Sequence, residues 1–327
     1  MQYKALELNF TSPLHLSDIR ANDYGKSQRL LHSDTLTAAI MQTWALLGKS
    51  EWITEDSGFV ASSLFPFTKA ADSTVYFLPK PFCGLNIPKG KNDPALAKKA
   101  KKVRYFDAKY FQLALQQTPM DGVVEKSFQG AYLSDSEIDA SFLTSDTRIR
   151  IRKPRNDHAD AEPFYMEQLR FKNGSGLWGI FSFENDQMEM RVKAALDYLQ
   201  SAGLGTDRNV GNGQFSCKWK SELPLQISTP STYGLNLSLF CPNDQPQLTA
   251  MLDEKARYEL IKRGGWLSEP YGSLRKRSVY MFKEGSVFKM PTATNVLGEV
   301  VDLQPEIINK QHPVWRSGKA LFIPIAL

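Results

Sequence analysis

Residues 189–220 read EMRVKAALDYLQSAGLGTDRNVGNGQFSCKWK, and the order of signals in this stretch decides between fold classes. Val192, Ala195, Leu196 and Leu199 recur at helical spacing, which predicts an amphipathic helix over about 189–201. Gly203, Gly205, Gly211 and Gly213 follow, and 214–220 then reads as a strand. A dinucleotide-binding crevice needs GxGxxG after a strand and opening a helix. Here the glycines follow a helix, precede a strand, and have Arg208 where the third glycine should stand. No Gly-Lys-Ser or Gly-Lys-Thr follows, so a P-loop is excluded as well. What remains is a loop whose backbone can lie close to another backbone, with Arg208 and Asp207 beside it. The bland alternative is a helix C-cap plus a tight turn, although a cap needs a single glycine.

Working outward, 147–153 alternates Ile149 and Ile151 with Arg148, Arg150 and Arg152, and Lys153 and Arg155 follow. On a strand, residues two apart are separated by roughly 6.6–7 Å. That is comparable to the phosphate repeat of an extended single strand, so the row could track a nucleic-acid backbone without reading sequence. A solvated edge strand protected by charge is the alternative.

Further strands are predicted at 3–10, 64–67, 74–78, 165–171 and 176–183, and a helix at 33–47 that Ser33 or Asp34 can cap. The polar stretch 12–31 reads as loop and carries Arg20, Lys26 and Arg29. From 79 to 145 the chain is rich in Pro, Gly and Lys, with Lys98, Lys99, Lys101, Lys102 and Arg104 together and no sustained period. This segment reads as an inserted element outside the core. After a Pro- and Ser-rich linker at 223–232, strands are predicted at 234–240, 258–262, 277–282 and 320–325, with a short helix at 247–253. The fold class is therefore α+β: a βαββαβ unit with a large insertion over 1–222, begun again over 223–327.

Two more stretches carry chemistry. Lys262-Arg263-Gly264-Gly265-Trp266, followed by Arg275, allows close backbone approach, and Trp266 could stack on a base or fill a core. His32-Ser33-Asp34-Thr35-Leu36 places an Asp near a His, but as structure it is a helix N-terminus, which can also hold a phosphate. No second acid, metal-ligand set or Ser/His/Asp order accompanies it, so no catalytic residue, metal or cofactor is expected.

Composition sets the frame. The 327 residues are 42% hydrophobic and 23% charged with a net charge of +5, an ordinary globular protein whose polyanion-binding surface must come from local clustering. Cys83, Cys217 and Cys241 are odd in number and far apart, which excludes a disulfide framework or a zinc knuckle. No apolar run approaches the roughly 18 residues that span a bilayer. The first ten residues alternate as a strand does rather than as a signal peptide, so a cytoplasmic location is expected.

Together, in this order, these stretches resemble the Csm subunit-four family of type III-A CRISPR effector complexes, within the RAMP superfamily. Its helix opening Ser-Asp-Thr-Leu is met by Ser33–Leu36, and its Arg-Gly-Gly-Trp by Arg263–Trp266. Its loop Gly-Leu-Gly-Gly-Asp-Arg-Ser-x-Gly-x-Gly-x-Phe is met by Gly203, Leu204, Gly205, Asp207, Arg208, Gly211, Gly213 and Phe215. Thr206 replaces a glycine there and Asn209 a serine. The resemblance runs through most of the chain, though 79–145 matches in position and not in sequence.

The resemblance implies two ferredoxin-like (RRM-like) domains, with the insertion acting as a thumb. It implies a non-catalytic subunit that binds the crRNA 5′ tag, beside the large polymerase-like subunit, the backbone subunit and target RNA near the tag. The expected RNA-binding set is Arg20, Lys26, Ser33, Asp34, Arg148, Arg150, Arg152, Lys153, Gly203, Gly205, Arg208, Gly211, Gly213, Arg263, Gly264, Gly265, Trp266 and Arg275. A RAMP-type crRNA-processing endoribonuclease is the rival, kept open by His15 and His32. A general RNA-binding protein would carry RNP-type aromatics on its first strands, and 3–10 lacks them.

Overall fold

The computed structural model describes residues 3–17, 24–71, 73–84, 87, 94–153, 160–227, 231–267, 271–272, 274–292, 294–306 and 313–327. Strand β1 (Tyr3–Phe10) is followed by helix α1 (Ser33–Leu46), whose Leu36, Ile40 and Trp44 are fully buried. Strands β2 (Phe59–Ala61), β3 (Phe65–Lys69) and β4 (Thr74–Pro79) come next. Then follow α2 (Pro94–Lys102), β5 (Tyr105–Asp107), α3 (Ala108–Leu115), β6 (Phe128–Gln129) and β7 (Tyr132–Leu133). A long ribbon, β8 (Leu143–Arg152) with β9 (Glu162–Phe171), precedes β10 (Gly176–Phe183), α4 (Asp186–Ala202) and β11 (Phe215–Lys220). Helix α4 starts three residues earlier than its apolar period suggests, because the Asn185 side chain caps it by accepting from the Met188 amide at 2.9 Å.

The large sheet runs β11-β1-β10-β3-β4-β5-β7-β6, with β2 also on β10. Within it β1, β3, β10 and β11 are mutually antiparallel where they pair and lie in the order β11-β1-β10-β3. With α1 after β1 and α4 between β10 and β11, this is βαββαβ wiring interrupted between its second and third strands.

The interruption is not what its composition suggests. Strand β5 pairs with β4 and so extends the large sheet. Phe106, Phe111, Val123, Leu133 and Phe142 are at most 1% exposed and belong to the main core. The expectation of an element outside the core fails because β5, β6 and β7 are two or three residues long, too short to show a period. The lysine cluster sits on α2, where Lys99 pairs with Glu125 at 2.5 Å.

The C-terminal part holds β12 (Tyr233–Asn236), α5 (Gln245–Met251), β13 (Leu260–Arg263), β14 (Val279–Phe282), β15 (Val287–Lys289), β16 (Val296–Leu297), β17 (Val300–Asp302), β18 (Trp315–Ser317) and β19 (Ala320–Ile325). Its sheet runs β15-β12-β19-β16, and β13–β14 and β17–β18 form ribbons. Along β19 the side chains alternate between two cores, as a strand's period of two requires. Leu321, Ile323 and Ile325 join the main core, whereas Ala320 and Phe322 pack with Phe240, Met251 and Phe288. This two-sided burial explains why the strand at 320–325 is legible as an unbroken apolar run.

Candidate nucleic-acid interface

The glycine loop is stapled to the segment that follows β1. The Gly203 amide donates to Leu199 O at 2.7 Å and closes α4. Leu204 N reaches Gly213 O at 2.9 Å, Thr206 N reaches His15 O at 3.0 Å, and Gly213 N reaches Pro13 O at 2.8 Å. All four glycines have positive φ, between 76° and 85°, and so does Asp207 at 62°. A methyl group on Gly203 would stand 2.4 Å from Asn212 O, on Gly205 2.3 Å from His15 O, and on Gly213 1.9 Å from Leu204 O. The backbone that these three glycines admit is therefore the chain's own. Gly211 differs, with nothing within 4 Å of an added carbon.

The β8–β9 ribbon stands beside this loop. In register, Arg148 faces Met166 and Arg150 faces Phe164. Ile149 and Ile151 are 65% and 70% exposed, so their alternation with arginine does not mark a buried face. An Arg150 Nη2 to Asp207 Oδ2 bond ties ribbon to loop, so Asp207 orients Arg150 rather than Arg208. The two elements frame a groove of about 490 Å³, lined by Pro13, Arg148, Ile149, Arg150, Gln168, Arg170, Val210, Gly211 and Asn212. Arg148 has one weak, exposed partner, Asp146 at 3.6 Å. Arg152 lies 6.0 Å over the Phe164 ring, and Lys153 is exposed at the ribbon's end. The exposed Lys26 sits on the segment whose Ser27 amide donates to Glu167 Oε2 at 2.6 Å, against β9. Arg208 is half-buried and does not line the groove, and Arg20 lies outside the described residues.

Two other predicted stretches meet elsewhere. Asp34 is fully buried and takes Arg263 Nε at 2.9 Å, Arg263 Nη2 at 3.1 Å and Arg316 Nη1 at 2.6 Å. Burial would raise its carboxyl, but the two guanidinium groups override it and hold Asp34 far below the ordinary carboxylate range. Arg316 Nη2 also donates to Gly264 O at 2.7 Å, and Ser33 Oγ accepts from Leu239 N at 2.9 Å. Neither Ser33 nor Asp34 caps α1, whose N-cap is His32. His32 Nδ1 instead pairs with Glu284 Oε1 at 2.7 Å. Ser33, Asp34 and Arg263 thus knot α1 to the C-terminal strands, and their side chains face protein rather than solvent. Gly265, at φ 129°, has open space. Trp266 is 38% exposed with the Arg275 guanidinium 4.7 Å over its ring, so it does not fill a core.

Of the residues that line the groove, the sequence singles out Arg148, Arg150 and Gly211 but not Arg170, Gln168 or Asn212. The missed signal is register: Gln168 and Arg170 lie opposite Asp146 and Thr144, on the arginine face of the ribbon. Among the described residues no group of three or more His, Cys, Asp or Glu could hold a metal ion, and no helix is long and apolar enough to cross a membrane.

The whole chain superposes on known structures. A chain of the crystal structure of the Csm3-Csm4 subcomplex in the type III-A CRISPR-Cas interference complex matches with a TM-score of 0.63 at 17% identity, covering 100% of both chains. A chain of the Csm1-Csm4 cassette in complex with cA4 matches at 0.60 and 20% identity, covering 100% of this chain and 99% of that one. By fold, then, this is an α+β protein similar to chains of these two solved structures. Residues 229–325 match the model of the CRISPR Csm4 C-terminal domain. The CRISPR system Cms protein Csm4 of Thermococcus onnurineus is 24% identical over 236 residues, 70% of this chain and 69% of that protein. Its Mycobacterium tuberculosis namesake is 28% identical over 176 residues, 52% of this chain, which spans only 54% of that relative. The chain is thus similar to Csm4 proteins, in its C-terminal 229–325 by family model and over most of its length by sequence and fold.

Proposed function

We propose that this chain is the non-cleaving, RNA-gripping subunit of a type III-A Csm complex, which binds the crRNA 5′ tag and joins the large polymerase-like subunit to the backbone subunits. On this reading residues 1–222 form a ferredoxin-like domain interrupted by a thumb-like insertion at about 79–145, and 223–327 form a second one. The observation that carries the reading is the groove, where Arg148, Arg150 and Arg170 converge on the one glycine of the loop that faces open space. A row of guanidinium groups beside an unobstructed backbone suits a phosphodiester chain. The structures this fold resembles pair Csm4 with Csm1 or Csm3, which supports the two protein neighbours. His15 and His32 are at most 3% exposed, with their Nδ1 atoms on Glu167 O and Glu284 Oε1. That placement favours gripping over RAMP-type cleavage.

The test replaces Arg148, Arg152 and Arg170 with Ala and leaves Arg150, which ties ribbon to loop. RNA bearing the 5′ tag is titrated across salt concentrations. The slope of log affinity against log salt should fall by about two units, at roughly 0.7 per lost single-strand contact. An unchanged slope would mean that the arginines only guard a sheet edge.

A further inference from the structure

We infer that the β13–β14 ribbon of the C-terminal part carries a second nucleic-acid surface, separate from the groove, on which single-stranded RNA or DNA stacks without regard to sequence. The ribbon is one-sided. Ile261 and Met281 pack inward with Leu239. On the outer side Tyr258, Leu260 and Tyr280 are 45%, 53% and 63% exposed. Lys262 stands opposite Tyr280 in register, with its ammonium 5.9 Å from the centre of the ring. Past the end of the paired strands, Trp266 bridges to Arg275, whose guanidinium lies 4.7 Å over the half-exposed indole. Two exposed rings, each with a cation beside it, thus sit along one ribbon, and the intervening Gly265 has open space about it.

Charge identifies the occupant. Residues 261–283 hold six basic side chains and a single acidic one, Glu269, which lies outside the described residues. Of the six, Arg263 is held by Asp34, and Lys283 pairs with Glu259 at 3.2 Å. Lys262 and Arg275 lie on rings and Arg277 donates to a backbone carbonyl, and none of the three has a carboxylate partner among the described residues. An apolar protein segment laid on this face would bury those cations unpaired, at a cost. A polyanion with flat groups along it answers both features at once. Bases stack on aromatic rings and on guanidinium planes, while neighbouring cations meet the phosphates. A duplex hides its base planes in its own stack, so the strand must be single. Neither kind of contact reads a base edge or needs a 2′-hydroxyl, so ribose and deoxyribose strands are taken alike.

The experiment starts from the full chain with Arg148, Arg152 and Arg170 replaced by Ala, so that the groove no longer dominates, and titrates it with oligo(U) and oligo(dT) at low salt. Both oligomers should still bind, with similar affinity. Adding Trp266→Ala or Tyr280→Ala should weaken both by roughly five- to a hundredfold, the range of one lost base stack. Trp266→Phe and Tyr280→Phe, which keep a ring, should recover most of that loss. Lys262→Ala should lower the salt slope by about 0.7. Tyr280 and Lys262 are exposed, so their variants keep the test available should Trp266→Ala fail to fold. Alanine variants that bind both oligomers as the groove variant does would overturn the inference, as would a loss confined to oligo(U). Variants that keep oligomer binding but no longer assemble with protein subunits would make the ribbon a protein interface, and overturn it too. If the groove variant bound neither oligomer while the parent bound tagged RNA, the ribbon surface would fall and the proposed function stand. If the groove variant kept the parent's salt slope for tagged RNA and the ribbon variants lost both oligomers, the groove reading would fall and the ribbon surface stand.

Discussion

At the scale of single residues, Gly211 and Gly213 share a positive φ and differ in what surrounds them. An alanine at 211 meets open space and bears only the left-handed strain, about 1–2 kcal/mol. An alanine at 213 bears the same strain and drives its methyl to 1.9 Å from Leu204 O, a backbone atom that cannot rotate away. The added crowding costs about 1–3 kcal/mol more. Urea midpoints should therefore place Gly213→Ala well below Gly211→Ala, with RNA affinity reduced at 211 by obstruction of the groove. The reverse order of stability would mean that the loop is held by something other than these backbone contacts. The sequence announces four glycines but not this division of labour. Gly205 admits the backbone of His15, some 190 residues away in the chain, whereas Gly203 and Gly213 admit the loop's own backbone at Asn212 and Leu204.

At the scale of elements, alternation is a statement about two faces and says nothing about which face is covered. The pattern in 147–153 correctly gives a strand with arginines on one side. That both sides are exposed follows only from its pairing with β9 in a ribbon that is not part of the large sheet. The insertion shows the opposite failure, since its short strands and the eight-residue α3 are too brief to display a period, yet they carry core residues. Deleting 94–135 would remove Tyr105, Phe106, Tyr110, Phe111, Leu115, Met120, Val123 and Leu133 from the main core. Each such side chain contributes about 1.5–3 kcal/mol by burial. A few of them match the whole 5–15 kcal/mol or so by which a typical protein is stable. The deletion protein should be insoluble or lack a cooperative thermal transition by circular dichroism. A soluble variant with a sharp transition would show that the segment is a detachable thumb after all.

At the scale of the whole molecule, the recognisable motifs turn out to be its seam. Ser-Asp-Thr-Leu and Arg-Gly-Gly-Trp meet through Asp34 and Arg263, 229 residues apart, and Arg316 completes the knot from 282 residues away. No periodicity reports such a contact, and Arg316 carries no local signal, so the sequence shows the motifs without their partnership. Removing one member of a buried ionic set leaves the others uncompensated, at about 3–5 kcal/mol. Asp34→Asn should lose that much stability at pH 7. The pH dependence follows from the depressed carboxyl of Asp34. An acid whose folded pKa lies below its unfolded value of about 3.9 stabilises the fold fully above that value and loses the contribution as pH falls toward the folded one. The parent should therefore lose stability more steeply than Asp34→Asn below about pH 4, so that their urea midpoints, far apart at pH 7, converge on acidification. If the gap between them stayed constant from pH 7 to pH 3, Asp34 would be contributing through packing and hydrogen-bond geometry, and its charge would not be what holds the two parts of the chain together.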